Sequence, residues 1–466
     1  MVKLKKEVNM LSGSIIKGLF AIALPIMVMN VLQSLFNIVD MTVLKTYDTD
    51  GGYSVGAVGT CGTLITLITG LMIGVSSGAN VIVAKNIGKA DKDGVNRAIG
   101  TSILISLVGG GLLLIIGTVF ARSFLTLVNC PERLMDGAIL YFRLYFVGVP
   151  ILMLYNFCAA ILRSSGDSSR PMIYLTLGGI AKVLFNLLFV GVFKLQVRGV
   201  AYATILSWGI SATMALIALL KKDCPVRIRL NYCRFYINEL KQILFIGVPA
   251  GLQQALYSIA NVIIMATVNS FGEDAATGVS IANTFDGILY QISVAPALAL
   301  MPYVSQNVGA KNLKRAKQAI VRGILLTVSM GGILGAFSAI FSPQLSSIMA
   351  SNPAVIEYSR QKMVIVSSTY FICGINEIFG AAMRGMSRPL VPTISTLVFM
   401  CLIRFFWVYL IFPFVPTLTF LYLIWPIGWV LSITTVLSFL LPALNKLKAK
   451  FDSEKEKVLN VSAEES

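Results

Sequence analysis

Three carboxylates, Asp40, Asp286 and Glu377, fall inside long apolar stretches, and two bases, Lys182 and Arg404, fall inside others. A charge held in lipid is costly enough to be rare, and it usually marks an ion or substrate path. Asp40 follows Asn37 by three residues and Gln33 by seven, so the three share one helical face. Such a column can pass a proton or hold a small cation. Alone in lipid, Asp40 would act as a proton carrier. Beside Lys182 it would instead be half of an ion pair, with Lys182 as the titrating group or with the pair opening when a cation displaces the ammonium. The residues leave these alternatives open. Later in the chain, Asp286 follows Asn283 by three residues, and Glu377 adjoins Asn376. With Arg404 as their expected partner, two acids face one base, a net −1 that suits a cationic solute. Tyr257, Tyr290 and Phe379 offer ring faces to such a solute.

These side chains need a scaffold that crosses a membrane. Of the 466 residues, 56% are hydrophobic and only 13% charged, against about 25% charged in a soluble domain. The net charge of +17 is spread in short clusters between apolar runs. That is a membrane-topology pattern and not a nucleic-acid stripe. The chain has no histidine, and its seven cysteines form no CxxC. This removes Ser/His and Cys/His catalysis and the commonest metal ligand. No enzyme, metal site or cofactor is expected. Lys3, Lys5 and Lys6 precede an apolar run too long for a cleavable signal.

Twelve stretches reach the roughly 20 apolar residues of a membrane helix. They run over 15–44, 54–84, 98–121, 136–161, 171–193, 199–220, 240–270, 276–305, 320–342, 358–383, 389–413 and 418–443. An even number places both termini on one side. With the N-terminus inside, 28 Lys and Arg fall inside and 7 outside, among them Arg360 and Lys362. This predicts cytoplasmic ends in a multi-pass protein of the cell membrane. Residues 223–239 mix basic and aromatic residues, as a short interfacial linker would, and divide a lobe over 1–222 from one over 240–445. The charged tail, 446–466, is expected to be a frayed helix end or disordered.

The two halves repeat. Lys17 and Pro25 match Lys241 and Pro249 at a shift of 224, as do Leu32 with Leu256, Ser34 with Ser258, Asn37 with Asn261 and Met41 with Met265. Asn86–Ile87–Gly88 matches Asn307–Val308–Gly309 at a shift of 221, and Arg163 with Pro171 echoes Arg384 with Pro389. Six spans per half make a parallel repeat about an axis along the membrane normal, with substrate held near the midplane. Pro25 and Pro249 each remove an intrahelical hydrogen bond at matched depths, which suits a hinge. Arg163 and Arg384 sit at helix ends, where capping, headgroup binding or latching is expected.

In these features, from about Lys17 to Pro442, the chain resembles the multidrug and toxic compound extrusion (MATE) family. Its carriers are the paired prolines, the Asn–Ile–Gly and Asn–Val–Gly motifs, and the Arg163 and Arg384 turns. The resemblance implies an all-α membrane protein of twelve helices, in two six-helix lobes about a central cleft. It implies a secondary antiporter that exports small organic cations in exchange for protons or, less favoured, sodium. The bacterial branch of the DNA-damage-inducible proteins is the nearest, and there the first-helix acid, here Asp40, is the expected coupling site. Two positions depart from the pattern: Lys182 and Asn186 stand where that branch often has Asn and Asp. Tyr257 stands where the vibrio-type branch has Glu, which puts sodium coupling of that type in doubt. The expected coupling group is Asp40, Asn37, Lys182 and Asn186. The expected substrate group is Gln33, Tyr257, Asn261, Asn283, Asp286, Glu377 and Arg404. A monomer in the bilayer is expected. A flippase for a lipid-linked precursor is the alternative, kept open by Lys182, Arg404 and Arg143.

Overall fold

The computed structural model describes residues 7–47 and 51–464. Lys3, Lys5 and Lys6 of the basic N-terminus, and Glu465 and Ser466 of the tail, lie outside the described residues. The bilayer core offers no water to backbone N–H and C=O groups, so each apolar run must satisfy them within itself. Among the described residues, twelve helices are long and apolar enough to cross a membrane: α1 Ile15–Thr46, α2 Tyr53–Gly88, α3 Lys92–Val119, α4 Glu132–Ser164, α5 Ser169–Val192, α6 Gln196–Leu220, α7 Ile237–Asn269, α8 Glu273–Gly309, α9 Leu313–Ile340, α10 Pro353–Gly385, α11 Leu390–Phe414 and α12 Leu418–Glu456. There is no strand among the described residues.

Every predicted span is present, but α3, α9 and α10 begin five to seven residues early. The cause is capping. Asp91, Asn312 and Asn352 accept hydrogen bonds from the backbone N–H of Gly94, Arg315 and Ala354 and start each helix ahead of its apolar run. Pro353 then fixes the first helical residue of α10.

Two of these starts are copies. α2 ends at Gly88 and α3 is capped by Asp91, with Ala90 between them at φ +57°. α8 ends at Gly309 and α9 is capped by Asn312, with Lys311 between them at φ +56°. The repeated Asn–Ile–Gly and Asn–Val–Gly motifs therefore close the same turn twice. They also meet. A Cβ on Gly88 would lie 1.9 Å from the carbonyl oxygen of Gln306, and one on Gly309 would lie 2.2 Å from that of Lys85. The glycines are present because two backbones touch there.

The chain's own contacts divide it into two compact units. Ala21–Val83 and Asp91–Ser258 make up nearly all of the first. Ile259–Ser466, with Asn9–Phe20 and Ala84–Ala90, make up the second. In the first, α4 packs on α3 and α6, and α5 packs on α6. Gly74 and Gly78 of α2 abut the backbone of Gly251 and Ile243 in α7. The linker lies along α3, where the N–H of Tyr236 donates to Thr101 Oγ1 at 3.2 Å, and it leaves Leu230 exposed. In the second unit, α8 packs on α9 and α10, and α10 on α12. Arg315 there holds the segment leading into α1, donating to the carbonyls of Met10, Ser12 and Gly13.

In the tail, the last helix runs from Ile424 through Glu464, the helical of the two expectations. Lys and Glu alternate at i,i+4 spacing, as in Lys450–Glu454 at 3.9 Å, which supports a helix without a core. Glu454 also meets Lys311 at 2.6 Å. Six cysteines are buried, and Cys233, in the linker, is half-buried; none is in a disulfide.

Candidate functional site

In the first unit, α1 and α5 bring together three of the four residues predicted for coupling. Asp40 is buried, and its Oδ2 accepts from Lys182 Nζ at 2.5 Å while Oδ1 accepts from Asn186 Nδ2 at 2.6 Å. Lys182 and Asn186 lie four residues apart, so consecutive turns of α5 aim both at one carboxylate. The resulting cluster is a charge-assisted, two-donor clamp on a buried acid. The Oδ1 of Asn186 is itself buried and accepts no hydrogen bond among the described residues. Asn37 and Gln33 lie one and two turns before Asp40 on α1, and both are exposed.

The second unit holds a cluster of its own. Asp286 of α8 is buried; its Oδ2 accepts from Lys362 Nζ at 2.8 Å and its Oδ1 from Ser367 Oγ at 2.8 Å. Lys362 also donates to Asn283 Oδ1 and lies 5.6 Å from the ring centre of Trp425. Lys362 and Ser367 both come from α10, which tightens into a 3-10 turn at Ser367–Thr369. Elsewhere in this unit, Arg404 Nη1 donates to Asn261 Oδ1 at 2.6 Å, and its guanidinium lies 5.1 Å from the same Trp425 ring. Arg404 sits between two widened π-helical turns, Leu397–Leu402 and Trp407–Ile411, and α5 has one at Leu187–Val192, just after Asn186. Such turns cluster at functional sites because an extra residue re-aims the side chains around it.

Three expectations are corrected. Asp286 pairs with Lys362, not Arg404, among the described residues; the charge count had placed Lys362 on the outer side, at the start of the span over 358–383. The Asn352–Pro353 start puts Lys362 nine residues into α10, and that cap was the legible signal. Nor does Glu377 pair with Arg404. Arg384, two turns further along the same helix, reaches back to it at 3.8 Å. Counted with Lys362 and Arg384, the five groups Lys362, Arg384, Arg404, Asp286 and Glu377 sum to +1 where the sequence counted −1. Pro25 and Pro249 lie within α1 and α7, which continue through them as helices. Tyr257, one turn before Asn261 on α7, is half-buried.

A multi-pass helical membrane protein with twelve candidate spans among its described residues, and a buried acid–lysine pair in each of two units, belongs with the transport proteins. A family model described as MatE matches residues 25–188 and again 249–410, each match opening on one of the paired prolines. The chain is 26% identical over 392 residues to the "Probable multidrug resistance protein YoeA" of Bacillus subtilis, covering 82% of this chain and 84% of the relative. It is 25% identical over 394 residues to a "FAD transporter" of Shewanella oneidensis, covering 83% and 86%. A solved structure described as the outward-facing conformation of a multidrug resistance MATE family transporter superposes with a TM-score of 0.87. It is 22% identical and covers 96% of this chain and 100% of that one, a likeness of fold. The chain belongs to the MATE family, which is a family of transporters and not of enzymes.

Proposed function

We propose that this chain is a secondary active multidrug exporter. It moves small organic cations outward in exchange for protons by alternating access, as a monomer in the cell membrane with both ends in the cytoplasm. The observation that carries the coupling step is the clamp on Asp40. Protonating that carboxylate removes the charge that holds Lys182, and re-forming the pair expels the proton. Sodium would have to displace an ammonium already 2.5 Å from the acid, which favours the proton. The DNA-damage-inducible branch, with its first-helix acid, is the proposed relationship. Pro25 and Pro249 are the proposed hinges.

The test is uptake of a fluorescent organic cation into inverted vesicles, driven separately by a pH gradient and by a sodium gradient. Proton-driven uptake is expected in the wild type. Asp40→Asn is expected to lower it at least a hundredfold at unchanged expression. Uptake that survives Asp40→Asn would remove Asp40 from the coupling step. The +1 sum of the five groups in the second unit favours a second reading, in which the solute carries an anionic group, and a Shewanella relative is named a FAD transporter. Export of a flavin nucleotide and not of the cationic dye would favour it. Failure of both would turn the question to a lipid-linked precursor.

A further inference from the structure

The cluster around Lys362 has the composition of a ligand site. Asp286 supplies a carboxylate, Asn283 an amide oxygen, Ser367 a hydroxyl bonded to the other carboxylate oxygen, and Trp425 an aromatic face. Acceptors on one side and a ring within about 6 Å on the other are what an organic ammonium selects. Asp286, Asn283 and Trp425 meet one atom, the Nζ of Lys362, which reaches them on four methylenes, while Ser367 holds the far oxygen of Asp286. Lys362, Asp286 and Ser367 are buried, as is Trp425, but Asn283 is exposed. The cluster therefore opens at the amide.

We propose that Asp286, Asn283, Ser367 and Trp425 form a seat for the ammonium group of a primary-amine-bearing organic cation, and that Lys362 fills this seat when substrate is absent. The inference rests on the cation-export reading and names its substrate class. Replacing one ammonium by another keeps the buried charge constant, so the carboxylate is never left bare in a medium that penalises a lone charge. A primary ammonium offers three N–H donors of the kind Lys362 uses there, and a quaternary one offers none. The tether makes Lys362 a competitor at an effective concentration on the order of millimolar or above. Substrate must outbid it, which sets a threshold of affinity for small amines and favours those with a second, apolar contact. The arrangement also reconciles a cation exporter with a positive sum, since one of the bases counted there occupies the substrate's place.

The experiment uses the purified full chain in lipid nanodiscs and needs neither gradient nor turnover. Lys362→Ala empties the seat. Its thermal midpoint is expected to fall below that of the wild type and to be restored saturably by n-propylammonium. Tetramethylammonium, n-propanol and sodium chloride at equal concentration should not restore it. The wild type should shift far less, and Asp286→Asn/Lys362→Ala should lose the response. Equal shifts with n-propanol, or none with any amine, would overturn the seat, and a sodium-specific shift would make it a metal-ion site instead. Should Lys362→Ala fail to fold, Trp425→Leu serves. It should weaken displacement of a bound fluorescent primary amine at least tenfold relative to a quaternary analogue, and equal losses would sink the proposal. Failed amine rescue with export intact removes the seat alone. Rescue with no export removes the transport reading and leaves the seat.

Discussion

Gly88→Ala and Gly309→Ala should each sharply reduce the folded, monodisperse fraction of the protein, although alanine is the better helix former. The added methyl would sit 1.9 Å from the Gln306 carbonyl oxygen in the first case and 2.2 Å from the Lys85 carbonyl oxygen in the second. Both neighbours are backbone, so no side chain can rotate away and whole helices must part. Overpacking against side chains costs about 1–3 kcal/mol, and a backbone neighbour puts these two at or above the top of that range. Gly111 of α3 and Gly332 of α9 are the controls, since a Cβ at either meets nothing within 4 Å. Size-exclusion profiles of the four alanine variants in mild detergent would decide the matter. Equal profiles would mean that the α2 and α8 ends do not touch.

The second large effect is expected at the Asp286–Lys362 pair. Lys362→Met strands a buried carboxylate beside Ser367, and Asp286→Asn strands a buried ammonium. Breaking one side of such a pair costs about 3–5 kcal/mol. Asp286→Asn/Lys362→Met removes both charges, and the amide can still accept from Ser367. The double variant is therefore expected to recover most of the loss. A double-mutant cycle of unfolding in mixed micelles should give a coupling energy of at least about 2 kcal/mol. Simple additivity would reduce the pair to two independent contacts. The same cycle on Asp40 and Lys182 should give a smaller coupling, because Asn186 remains as a second donor to Asp40.

The fold was legible in the sequence because a bilayer leaves so few choices. Twelve apolar runs could only be helices, and each is one. The repeat was legible where it rests on backbone: Asn–Ile–Gly and Asn–Val–Gly close the same turn, and the glycines lie at a crossing where no side chain fits. The clamp on Asp40 was half legible. Lys182 and Asn186 do meet Asp40, but a spacing of four says only that they share a face and not that both would bond one carboxylate. The second cluster was misread for two reasons. The expected span of α10 began at 358, so Lys362 stood only four residues inside it and was counted with the outer charges; the Asn352 cap puts it nine residues in. Arg404 was expected to partner both acids, although it lies between π-turns that shift its register away from a 3.6-residue period. Arg384 was read as a helix-end residue, and its long stem reaches back two turns to Glu377.

The burial of the thiols has a practical corollary. Six of the seven cysteines are enclosed, and only Cys233 is partly open to reagents. Exchanging that one linker residue for serine should leave a protein nearly silent to charged, membrane-impermeant maleimides. Asn283→Cys in that background would place a lone reactive sulfur at the exposed rim of the Lys362 cluster, where its modification rate, with and without amine, reports when that rim is open.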